Sequence, residues 1–170
     1  NRSISLAGLD EIDATAALVR AEVRDGMGRI PEIDLEFVSD NFDLPFDRVL
    51  DRTLSISVGG ETVAGVVVPD RIFTGRCVEI CFQGQLGQKA FYFASLRPWP
   101  WLLTQSRDCR IFEGKTTQEI VTEVIRDHVA PGLPRFELSS AIVRHARPYC
   151  VQYRETAFDF IYRLLVEDGI

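Results

Sequence analysis

A chain of 170 residues, 46% apolar and 26% charged, can bury one core or two small ones and is too ordinary in composition for disorder. Its net charge of -6 argues against a phosphate backbone as partner, so no nucleic acid is expected. No apolar run approaches the roughly 20 residues of a membrane helix, so no integral membrane segment is expected, and no basic-then-apolar leader opens the chain.

The imbalance is local. Residues 1–60 carry twelve acids against six arginines, whereas the signs balance from Arg97 onward. We read the acidic part as a solvated face. Lysine occurs only at 89 and 115, and the arginine bias is the kind a GC-rich genome imposes. The four cysteines (77, 81, 109 and 150) form no CxxC pair, which fits free thiols and folding in a reducing cytoplasm. On one regular strand Cys77 and Cys81 share a face.

The first predicted strand is Leu18–Val23, followed by a Gly-rich turn at Gly26 to Gly28. Ile33, Leu35 and Phe37 then alternate with Glu32, Asp34 and Glu36, the two-residue period of a strand with one wet face. A short helical turn is expected over Pro45–Leu50. Thr53–Val58, Gly59-Gly60 and Thr62–Val68 carry a hairpin signal. Strands near Arg76–Phe82 and Lys89–Leu96, joined by a turn at Gly84 to Gly87, complete about six. This arrangement implies a small β-barrel or sandwich.

The pattern changes near Arg97. Thr116–Val129 reads as a helix, with a capping box from Thr116 and Glu119 and an apolar stripe at Ile120, Val121, Val124, Ile125 and Val129. Pro131-Gly132 should end it. Short strands at Phe136–Leu138 and Cys150–Tyr153 precede a second helix, Thr156–Glu167. Thr156 is its natural N-cap, Gly169 its stop, and Phe160, Ile161, Leu164 and Leu165 its core face. The fold class is therefore α+β: a β-barrel over 1–97, then an α/β unit over 98–170. The absence of an initial Met, and a helix stop that should feed another strand at Ile170, make us expect a longer natural protein.

Candidate chemistry is sparse. Gly114-Lys115-Thr116-Thr117 suggests a phosphate loop, but Cys109 stands where that motif needs its first glycine, so a turn and helix cap is preferred. His128 and His145 lack metal-ligand spacing, and His128 suits a helix C-terminus. No GxSxG elbow occurs. Glu32, Asp34 and Glu36 are better read as the wet face of a strand than as paired acids. Trp99 and Trp101 are expected to anchor the bend apolarly rather than stack on bases. Arg97, Arg107 and Arg110 should pair with Asp108, Glu113 or a carboxylate of the second helix. We expect no catalytic residue, metal or cofactor, and no enzyme.

Two blocks carry a resemblance. The first runs from Arg97, Pro98, Trp99, Pro100 and Trp101 to Arg110 and Phe112. The second comprises Tyr149, Cys150, Gln152, Tyr153, Arg154 and Glu155, continuing to Phe158, Leu164 and Gly169. Together they resemble the hub region of the VgrG family, the spike proteins of bacterial type VI secretion systems, and of contractile phage tail hubs. The match is densest from Arg97 to Ile170. Ala157, the run Val143–Arg147 and the length of Val66–Gln88 depart from the family pattern, which bears on loop geometry.

The resemblance implies a structural role: a homotrimer whose paired barrels present pseudo-sixfold symmetry to the hexameric tube protein Hcp. It also implies effector proteins as further partners, assembly in the cytoplasm and delivery into a target cell. The alternatives are a baseplate or tail hub of a contractile phage or phage-like particle, and a small ligand-binding or enzymatic domain.

Overall fold

The computed structural model describes residues 4–26, 28–59, 62–63, 66–67, 70–128 and 145–169. The backbone divides into two compact units, Asn1–Pro98 and Trp99–Ile170.

The first unit is a six-stranded antiparallel sheet. Its strands are β1 (Ile4–Ala7), β2 (Ala17–Arg24), β3 (Glu32–Ser39), β4 (Thr53–Val58), β7 (Arg71–Leu86) and β8 (Lys89–Arg97), in the order β1-β4-β7-β8-β3-β2. The end strands β1 and β2 approach each other, so the sheet nearly closes into a barrel. The α+β class and the barrel of six strands are thus as the sequence implies.

The interior follows from alternation. Ile33, Leu35 and Phe37 of β3 are buried while their neighbours Glu32, Asp34 and Glu36 are half-buried on the outer wall. Ala90, Tyr92, Ala94 and Leu96 of β8 and Leu54 and Ile56 of β4 complete the core. Phe37 stacks on Tyr92 at 5.4 Å between ring centres. The short helix α1 (Phe46–Val49) sits where a helical turn was expected and adds Val49 to the core, with Phe46 edge-on to Tyr92.

Two expectations are overturned here. Thr53–Val58 does not form a hairpin with the segment after Gly59. β4 pairs instead with β1 and with the first half of β7, Thr53 opposite Arg76 through Val58 opposite Arg71. Among the described residues Thr62–Val63 (β5) pairs only with Val66–Val67 (β6); Gly60, Glu61, Ala64, Gly65 and Val68 lie outside them. An unpaired edge would leave the N–H and C=O groups of β4 bare, and β7 is long enough to satisfy them.

Cys77 and Cys81 do not share a face either. A bulge between Cys77 and Glu79 shifts the register by one residue, which exchanges the two faces of β7 beyond it. Cys77 is buried opposite Leu96, whereas Cys81 lies on the outer wall opposite Phe93. All four cysteines are free thiols. Burial raises the Cys77 thiol pKa to about 11.

The second unit opens with a 3-10 turn, Trp99–Thr104, and pairs β9 (Arg107–Lys115) with β10 (Arg147–Thr156) antiparallel. The sequence reading had no strand at 107–115. Helices α2 (Thr117–His128) and α3 (Ala157–Glu167) pack on this unit's core. Ile120, Val121, Val124 and Ile125 are buried, as the stripe implies. The Thr116 and Glu119 capping box forms with both reciprocal bonds: Glu119 N–H donates to Thr116 Oγ1 (3.2 Å) and Thr116 N–H to Glu119 Oε2 (2.8 Å). Val129, the helix stop at Pro131-Gly132 and the strand at Phe136–Leu138 lie outside the described residues.

Candidate functional site

The residues of the two motif blocks fall into four settings. Arg97, at the end of β8, belongs to the barrel wall. Its guanidinium reaches Asp34 at 3.5 Å and Glu32 at 4.0 Å, joining a lattice in which Arg24 also pairs with Glu32 (3.4 Å) and Asp34 (3.6 Å) and Arg20 with Glu36 (3.5 Å). The three acids of β3 are therefore partnered by arginines, and Ser95 Oγ donates to Asp34 at 2.7 Å. Exposed pairs of this kind contribute about 0–1 kcal/mol each. Pro98 is half-buried at the end of this unit.

Trp99 and Trp101 lie in the 3-10 turn. Trp99 packs on the second unit's core and Trp101 is half-buried.

A third set builds that core. Phe112 and Phe160 stack at 5.6 Å with an 18° interplanar angle, and Cys150 and Leu164 are buried beside them. Burial raises the Cys150 thiol pKa. Gln152 is 1% exposed; its Nε2 donates to the Glu155 carbonyl at 3.1 Å. That bond ties down a bulge between Tyr153 and Glu155, where Arg154 takes a φ of 53°. Phe158 is half-buried and stacks on Tyr162 at 6.3 Å. Thr156 Oγ1 accepts from Asp159 N–H at 3.0 Å, capping α3, and Gly169 ends the helix at φ 76°.

The fourth set is exposed on the outer face of β9 and β10: Tyr149 (58%), Tyr153 (65%) and Ile111 (61%). The Arg154 guanidinium lies 5.3 Å from the Tyr153 ring centre.

Arginine partners differ from expectation. Arg110 pairs with Glu123 (3.0 Å) and Asp127 (2.8 Å), both on α2 rather than the second helix, because the inward side chains of β9 face α2 at this height. The second helix is instead held by two arginines, Arg147 and Arg163, to which the sequence assigns no partner. Arg163 bridges Glu155 (2.7 Å), Glu167 (3.1 Å) and the Val151 carbonyl (3.0 Å). Arg147 grips Glu167 (2.6 Å) and Asp168 (2.7 Å) and donates to Thr117 Oγ1 (3.0 Å). Only the register of β10 against α3 reveals them; in the sequence they look like any other arginine.

Lys115, the apparent phosphate-loop lysine, ends β9 and donates to Glu123 instead. His128 closes the last turn of α2 through Nδ1 and the Val124 carbonyl (2.7 Å), with Nε2 at 2.8 Å from Ser106 Oγ. Among the described residues no group of three acids, histidines or cysteines is placed to hold a metal. No described helix is long and apolar enough to cross a membrane. An open depression of about 540 Å³ is lined by Val23, Asp25, Gly26, Arg71 and Phe73, with Arg71 over the Phe73 ring at 4.8 Å.

These ion pairs carry a pH dependence. The hydrogen bond from Lys115 holds the Glu123 carboxyl below its ordinary 4.5, and the one from Arg147 does the same for Glu167. Both groups bind fewer protons folded than unfolded. Their stabilisation is complete above the unfolded value and is lost as the pH falls through the lower folded values. Urea titrations between about pH 6 and about pH 3 should therefore show a steeper loss in the natural protein than in a Glu123→Gln, Glu167→Gln variant. Parallel curves would remove these pairs from the account.

The matches to known proteins agree with this architecture. The family model for the phage tail baseplate hub (GPD) matches residues 24–170. The type VI secretion system spike protein VgrG1a of Pseudomonas aeruginosa is 42% identical over 161 residues, which cover 90% of this chain and 23% of that protein. The chain thus spans about a quarter of that curated relative's length. Among solved structures, a type VI secretion component of E. coli superposes with a TM-score of 0.66 at 22% identity, covering 89% of this chain and 42% of that one. The 43 kDa tail protein of prophage MuSo2 from Shewanella oneidensis superposes with a TM-score of 0.63 at 14% identity, covering 99% and 49%. A model matching so much of the sequence, on a barrel of the same fold, makes this chain a member of the phage tail baseplate hub family.

Proposed function

We propose that this chain is the hub portion of a type VI secretion spike, which trimerises and adapts the spike to the hexameric Hcp tube. The observation that carries this reading is 42% identity to a spike protein over nine-tenths of the chain, against lower identity to the phage-type structure. Residues 1–97 act as the first hub barrel and 98–170 as the opening part of an α/β unit. The role is mechanical: packing and symmetry matching, with no turnover. Assembly takes place in the cytoplasm, delivery follows with the tube, and effector proteins travel on the spike.

Light scattering on the natural protein that carries this chain should give the mass of three subunits, and the trimer should retain Hcp hexamers on a column. A monomer at micromolar concentration removes the hub reading. The family model and the prophage tail protein favour a phage tail hub as the second reading. Co-purification with a phage tube protein in place of Hcp would select it.

A further inference from the structure

The barrel closes without a ladder. Its sheet runs β1-β4-β7-β8-β3-β2, and among the described residues no strand pairing joins the end strands β1 and β2. The segment between them, residues 8–16, spans the gap as a strap. Leu9 is buried in the core, and Ile12 and Ala16 pack against it. At one end of the strap Arg52 donates to the Gly8 carbonyl at 2.6 Å and pairs with Glu11.

The other end is held by one carboxylate. Asp13 is 7% exposed and accepts three hydrogen bonds, from Thr15 N–H (2.9 Å), Thr15 Oγ1 (2.6 Å) and Ser39 Oγ at the end of β3. Each hydroxyl, its proton given to Asp13, accepts a backbone N–H from the turn after β3. Thr15 takes that of Asp40 (3.0 Å) and Ser39 that of Asn41 (2.7 Å). All three donors point at the carboxylate, so the knot is satisfied by an ionised group that only accepts. A protonated carboxyl or an amide brings a hydrogen of its own and leaves one of these bonds unmade. The titratable neighbours that interact with Asp13 are Lys89 of β8, itself paired with Asp40 at 2.7 Å, and the Tyr92 phenol, which also senses Asp43.

We propose that residues 8–16 are a latched strap: ionised Asp13 holds the barrel shut, and its loss lets the strap and β1 leave β4 as one unit while the other strands stay paired. β1 is suited to this, with four residues and a single ladder. The device is acid-sensitive. Burial alone would raise the Asp13 carboxyl, but the hydrogen bonds from Ser39 and Thr15 and the charge of Lys89 outweigh it and hold the group below 3.8. Its stabilisation of the closed strap is therefore complete above the unfolded value and is lost as the pH falls through the lower folded one. The inference stands whether the hub belongs to a secretion spike or to a phage tail.

The test is amide hydrogen exchange on the natural protein and on Asp13→Asn, with Thr15→Val as a milder variant at an exposed position. At neutral pH, the β1–β4 ladder amides of Asp13→Asn should exchange about tenfold faster or more, with those of β8 unchanged. Thr15→Val should move the same amides less. Below about pH 4 the natural protein should lose β1 protection toward the level of Asp13→Asn, which has no such step. Unchanged β1 protection in Asp13→Asn overturns the latch. Equal acceleration in β1 and β8 overturns the strap as a separate unit. Should Asp13→Asn fail to fold, the same two results on Thr15→Val decide.

Discussion

Replacing Phe160 with alanine should destabilise the second unit by about 3–5 kcal/mol, the largest single effect expected in this chain. Phe160 is fully buried and stacks on Phe112, so truncation removes the ring that joins α3 to β9. Leu103, Ile120 and Val124 share this small cluster and come from two further segments of chain, and Leu164 joins them from α3 itself. They are held by strands and helix caps, so the hole left behind cannot readily collapse. A unit this small has little stability to spare. About 4–8 °C is lost per kcal/mol in a domain of this size, so the melting transition should fall by more than about 10 °C. Phe160→Leu, which refills most of the space, should cost much less. A loss below about 1 kcal/mol for the alanine variant, measured by urea unfolding with amide exchange in α2 and α3, would mean that the stack is not the centre of this core.

Gly8→Ala should be the most damaging conservative change in the barrel. Gly8 follows β1 with a φ of 101°, a conformation that costs a residue with a side chain about 1–3 kcal/mol. The space is also occupied: an added Cβ meets the Thr53 carbonyl oxygen at 2.7 Å and the Leu54 side chain at 3.1 Å. A backbone oxygen cannot rotate away, so the chain must shift. β1 has four residues, paired with Val58 back to Ser55, and a shift at its end lifts it from β4. The Arg52 guanidinium, which donates to the Gly8 carbonyl at 2.6 Å, is lost with it. The combined cost should be about 3 kcal/mol. Gly26→Ala, where the nearest atom is 4.0 Å from the added Cβ and φ is not positive, should change stability by less than about 0.5 kcal/mol. Equal melting temperatures for the two variants would show that β1 does not need this close approach.

Much of the fold was legible because it is written in local chemistry. The alternation at Ile33, Leu35 and Phe37 identifies a half-buried strand whatever its partners, since period two follows from the pleat alone. Thr116 with Glu119, and Thr156 with Asp159, satisfy helix N-termini within four residues of chain, so both starts could be read directly. Family membership was legible for a related reason: the Arg97–Phe112 and Tyr149–Gly169 blocks combine residues fixed by the core, such as Phe112, Gln152 and Leu164, with turn and cap positions.

Strand partners and ion pairs were decided by tertiary structure alone. The signal at Thr53–Val68 described two strands and a turn but could not say that β7 outcompetes the nearer segment, because a ladder's energy depends on which side chains it buries together. β9 was missed because Arg107–Lys115 reads as polar until β10 pairs along its edge and the helices cover the face that carries Arg110 and Phe112. The bulge after Cys77 turned Cys81 outward, a change of register that no periodicity could place. Arg147 and Arg163 became the clasps of α3 only once β10 lay beside it. The sequence by itself determined the strongly patterned elements, both helix caps and the family. Which edges are paired, which left free, and which arginine meets which carboxylate depended on contacts between distant residues, which exist only in the folded chain.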